Sequence, residues 1–135
     1  MHRRLGAAVL VSAIAAACGG VVDPSKNQTE TFTDTIPKGS GVILPKSGSI
    51  NITKSGEISV TVTSLTPTVP SGTYFGVGLG QSISGQCSLI SANQFAIVGS
   101  AAISGPIQPG TYCLILADQG LFTVDEVFSV TVSHP

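Results

Sequence analysis

Along Glu57–Leu65, apolar and polar side chains take turns: Ile58, Val60 and Val62 alternate with Ser59, Thr61 and Thr63. Successive side chains of an extended strand point to opposite faces, so this alternation predicts a strand with one face buried and the other in water. The segment 127–132 repeats the arrangement, with Phe128, Val130 and Val132 inward and Ser129, Thr131 and Ser133 outward. A slip of one residue would expose all three apolar groups, so the register is strongly specified.

Further strands are predicted at 31–36, 42–44, 49–53, 74–80, 86–90, 94–98 and 111–117. Two of these depart from simple alternation. Thr111–Ala117 is apolar on both faces, which predicts a central strand, with Cys113 reaching a neighbour that carries Cys87. In Tyr74–Gly80, Phe75, Val77 and Leu79 alternate with Gly76, Gly78 and Gly80, so one face packs while the other lets a second chain segment approach closely. Gly, Pro, Ser and Thr recur throughout the mature region, and no window shows the three-and-four spacing of an amphipathic helix. The expected fold is all-β, an antiparallel two-sheet sandwich of jelly-roll or Ig-like type.

The N-terminus follows a different rule. A cationic patch, Met1-His2-Arg3-Arg4, precedes an almost wholly apolar run from Leu5 to Ala17. This is the layout of a helical secretory signal, and the run is shorter than the roughly 20 residues of a bilayer-spanning helix. It ends in Ala15-Ala16-Ala17-Cys18, which resembles the lipobox of bacterial lipoproteins. The resemblance implies loss of residues 1–17, acylation of Cys18 and anchoring to a membrane of the bacterial envelope, with simple cleavage after Ala17 as the alternative. Residues 18–29 are read as the lipidated N-terminus and a flexible linker, and 30–135 as the domain.

With Cys18 assigned to the lipid, Cys87 and Cys113 remain as an even pair in an exported chain. A disulfide is expected, two reduced buried thiols being the alternative.

Charge narrows the function. All four lysines of the mature chain precede residue 57, and after it the only charges are Asp118, Asp125 and Glu126. Four lysines against seven acids leave the mature chain at −3, so no basic face for nucleic acid is expected. After signal removal the only histidine is His134, beside the C-terminus, where fraying is the default. No nucleophile elbow, zinc-protease motif or paired Cys-x-x-Cys occurs, and Gly76, Gly78 and Gly80 lie in a predicted strand without a dinucleotide spacing. No catalytic residue is assigned. Asp118, Asp125 and Glu126 are the candidate calcium ligands, since calcium takes six to eight oxygens, and a solvated acidic loop is the alternative.

Gly110-Thr111-Tyr112-Cys113-Leu114-Ile115-Leu116, followed by Val127-Phe128-Ser129-Val130-Thr131-Val132, resembles the C-terminal half of bacterial pre-peptidase C-terminal-like domains. The likeness extends over about Glu30–His134, although that family's Asp-rich strand is replaced here by Gly-Val-Gly-Leu-Gly. It implies a non-catalytic accessory module. The expected partners are the membrane, through the lipid, and either a glycan or peptide or an envelope or secretion complex. Contacts are expected at loops clustered at one end of the sheets.

Overall fold

The computed structural model describes residues 23–135; the predicted signal peptide 1–17 and the candidate lipid site Cys18 lie outside the described residues. Nine strands follow in chain order: β1 (Gln28–Ile36), β2 (Gly41–Leu44), β3 (Ile50–Ile52), β4 (Gly56–Thr66), β5 (Phe75–Ile83), β6 (Gln86–Ala96), β7 (Ala101–Ile107), β8 (Gly110–Asp118) and β9 (Glu126–His134). One 3-10 turn at Pro24–Lys26 precedes them, capped by the Asp23 side chain.

The strands form two antiparallel sheets packed as a sandwich. One has the order β1, β9, β4, β7; the other has β2, β8, β5, β6, with β3 pairing β8 beyond β2. Except at the β2–β3 and β5–β6 links, each connection carries the chain from one sheet to the other. This winding is that of a jelly roll, with β2 and β3 as one edge strand interrupted by residues 45–49.

Alternation places the core as the pattern requires. Ile58, Val60 and Val62 of β4 and Phe128, Val130 and Val132 of β9 face Phe75, Val77 and Leu79 of β5 and Tyr112, Leu114 and Leu116 of β8 across one buried layer. A bulge between Val62 and Ser64 shifts the parity of β4, which is why Leu65 is buried although it lies an odd number of residues from Val62.

Three boundaries differ from the sequence reading. The segments 86–90 and 94–98 belong largely to one strand, β6, because two bulges, one near Ile90 and one near Phe95, let it stay paired to β5 while its alternation is broken. Strand β7 is not among the segments predicted from the sequence, and it carries Gly105 and Pro106. It pairs only with β4, and an edge strand tolerates proline because its outer N–H groups bond no neighbour. β1 starts at Gln28, within the predicted linker, and the Asn27 side chain already bonds the Glu57 carbonyl and Ser133 Oγ.

The two ends of the sandwich are unlike. Loops 37–40, 67–74, 97–100 and 119–125 gather at one end, beside the paired residues Ile36 and Glu126 and the paired residues Phe75 and Asp118. At the other end lie the short connections 53–55, 84–85 and 108–109, together with the start of β1 and the end of β9.

Candidate functional site

The outer face of the five-stranded sheet shows what the glycines of β5 are for. A Cβ on Gly76 would meet Gln119 Nε2, one on Gly78 would collide with Leu89 Cδ1, and one on Gly80 would sit 2.7 Å from both Cys87 Sγ and the Ser88 carbonyl oxygen. The Cys87–Cys113 disulfide joins β6 to β8, which are not neighbours, and passes over Gly80 of the strand between them. The expectation that Cys113 meets an adjacent strand is corrected: one strand intervenes, and the missing side chain at Gly80 makes the crossing possible. Gly80→Ala should therefore lower stability by about 1–2 kcal/mol in denaturant titration, because backbone as well as sulfur must yield. A shallow cavity of about 150 Å³ beside Gly76 and Gly78 is walled by Leu89, Ala92, Ile115 and Ala117 and holds no titratable group.

The loop end carries the charged chemistry. Asp118 Oδ1 accepts the backbone N–H groups of Gly120, Leu121 and Phe122 at 2.8–3.1 Å, and Oδ2 accepts that of Gly39 at 2.7 Å. Desolvation pushes this carboxyl up, but the N–H donors of Gly39, Phe122, Leu121 and Gly120 outweigh it and hold it below the ordinary aspartate value. Asp125 Oδ1 accepts the N–H of Lys38 at 2.9 Å. These two acids therefore fasten loop 37–40 to loop 119–125.

Glu126 is placed differently. As the first inward residue of β9 it is only 3% exposed, and its Oε2 is enclosed with no hydrogen-bond partner. Burial alone pushes this carboxyl above the ordinary glutamate value. It lines a cavity of about 310 Å³ between loops 67–74 and 119–125, whose walls include Val69, Pro70, Leu121, Phe122 and Val124. Among the described residues no group of three or more His, Cys, Asp or Glu side chains is arranged to hold a metal. Of the three candidate calcium ligands, two serve backbone donors and one lines this cavity.

Sequence reasoning missed that Glu126 is buried, although its even spacing from Phe128, Val130 and Val132 was visible. It also misplaced His134. Instead of fraying, His134 ends the same inward row, is 1% exposed, and its Nε2 lies 2.8 Å from Glu30 Oε1. At the loop end Phe95 is 70% exposed, its ring tilted against that of half-buried Tyr74 with centroids 5.2 Å apart.

No family model matches the chain, and no curated protein matches it. Among solved structures it is similar to the Yersinia pseudotuberculosis-derived mitogen YPM, known from a crystal structure. The two are 14% identical, the match covers 81% of this chain and 87% of that one, and the TM-score is 0.48.

Proposed function

We propose that this chain is a cell-envelope lipoprotein, anchored through Cys18, whose jelly-roll sandwich is a non-catalytic binding module working through its loop end. The observation that carries the binding part is the cavity between loops 67–74 and 119–125, lined by a buried acid without a partner and rimmed by the exposed side chains of Leu121 and Val124. Loops on a rigid two-sheet frame are where contact residues concentrate. The Cys87–Cys113 bridge agrees with folding in an oxidising compartment, and the lipobox-like Ala15-Ala16-Ala17-Cys18 supports the anchor.

Intact-mass and peptide mass spectrometry of the protein made in a bacterial host tests the anchoring. The expected product lacks residues 1–17, carries acyl mass on Cys18 and keeps Cys87 joined to Cys113. A product that retains Met1–Ala17, or starts at an unmodified Cys18, would overturn it.

A glycan- or peptide-binding accessory role is the second reading. The exposed ring of Phe95 against Tyr74, at the same end, favours it, because such ligands pack on exposed aromatics. The subunit role in an envelope or secretion complex would instead use the unpaired edge of β6, an 11-residue strand without a charged side chain.

Stability offers a check on whether Glu126 is kept for binding. An inward apolar residue at this position would remove a buried, unpartnered carboxyl, so Glu126→Leu should raise the unfolding free energy by about 1–2 kcal/mol at neutral pH. Because burial raises the folded-state value above the ordinary 4.5, the parent is penalised increasingly as pH climbs from 4.5 through that raised value. The advantage of leucine should widen over that window and shrink below it, as read by urea titrations at several pH values.

A further inference from the structure

We propose that the cavity beside Glu126 is a site for a primary alkylammonium group, with the carboxylate receiving the cation and Val69, Leu121 and Val124 enclosing its aliphatic chain. This rests on the binding-module reading and names the chemistry of its ligand.

Three observations converge on it. Every other inward position of β9 up to Val132 is apolar, and Glu126 stands opposite Ile36 in the register, so the fold itself calls for an apolar residue there. The carboxyl has no basic partner of its own: among the described residues Lys46 Nζ lies 2.8 Å from Asp34 and His134 Nε2 lies 2.8 Å from Glu30. Asp34, the other acid with an enclosed and unpartnered oxygen, already holds Lys46 Nζ at 2.8 Å, whereas Glu126 holds nothing.

The surroundings select the class of cation. Thr68, Thr73 and Thr123 line the cavity, and threonine hydroxyls are acceptors suited to the ammonium protons that the carboxylate does not take. Calcium or magnesium needs about six oxygens in place of aliphatic walls, and a planar guanidinium brings five donors to a site with one carboxylate. At about 310 Å³ the space is at the small end of organic-ligand sites and admits a short alkyl chain. The ammonium can come from a lysine side chain of a protein or from a free amine, and the probes below separate these sources.

The test is amide chemical-shift titration of the ¹⁵N-labelled protein, purified in detergent as the host processes it. Its probes are n-butylammonium chloride, the neutral n-pentanol and Nα-acetyl-lysine N-methylamide. The ammonium should shift the amides of Val69, Thr73 and Leu121–Glu126, binding roughly tenfold or more tightly than n-pentanol. Glu126→Gln, and separately Glu126→Leu, should abolish that preference while remaining folded, as judged by their own amide spectra. Equal response to the lysine derivative supports a protein lysine as the source; response to n-butylammonium alone supports a free amine.

Equal binding of n-pentanol and n-butylammonium, or unchanged ammonium binding by Glu126→Gln, overturns the cation site while leaving a binding cavity. No shift with any probe overturns the cavity as a ligand site. Anchoring through Cys18 stands or falls on the mass measurement alone.

Discussion

Replacing both Cys87 and Cys113 with alanine should lower the unfolding free energy by about 3.5 kcal/mol. The bridge closes a segment of 26 residues, and confining that much chain in the unfolded ensemble accounts for this magnitude in the chain-entropy treatment. That is a large fraction of the 5–15 kcal/mol typical of a domain. Guanidinium titration of the double variant against the parent reads it directly. A loss below about 1 kcal/mol would show that β6 is held to the sheet by its pairing with β5 alone. The segment inside the closed loop includes most of β6, all of β7 and the start of β8, so reduction should release the β6 side first.

The second large effect is expected at Asp118. Its carboxylate accepts four N–H groups from two loops. Asp118→Ala should cost about 2–4 kcal/mol, less than four separate charge-assisted bonds would suggest, because the donors of Gly39, Gly120 and Leu121 can turn to water. Asp118→Asn keeps the three bonds at Oδ1 and forfeits the one from Gly39, so it should cost about 1 kcal/mol.

The two variants also differ from the parent in acid. Since the folded-state value of Asp118 lies below the ordinary 3.8, its contribution is complete above 3.8 and disappears as pH falls through the depressed value. Asp118→Ala should lack that acid limb. A parent and an alanine variant that fade in parallel below pH 3.8 would refute the role given to these bonds.

The sandwich was legible because two segments alternate without interruption. Ile58 to Val62 and Phe128 to Val132 carry β-branched or aromatic groups at every second position, and burial followed them residue for residue. The glycine row of β5 was legible for the same reason, since alternation with Phe75, Val77 and Leu79 puts every missing side chain on one face. Where alternation failed, tertiary structure had decided. The bulges of β6 put Ile90 and Phe95 into water in a pattern that no fixed period describes, and β7 is a strand only because β4 offers it a pairing edge.

The cavity was the least legible feature. Its walls come from segments about fifty residues apart, 67–73 and 121–126, joined only by the crossing of the chain between sheets. Glu126 could have been flagged from its parity with Phe128. Its neighbour Asp125, also acidic, made the pair read as a solvated loop.

The start of β1 and the loops 37–40, 67–74, 97–100 and 119–125 occupy opposite poles, so the proposed anchor at Cys18 would join the domain at the pole away from the cavity. Under the proposed anchoring, the stretch from Cys18 to Gln28 would span at most about 35 Å, and the pole holding His134 would be the one joined to the lipid. The pole holding Glu126 lies the length of the strands away from it, roughly 30 Å for nine residues. For the proposed lipoprotein, a partner of the cavity would then be met on the side opposite the attachment, at a height no greater than tether and strands together allow.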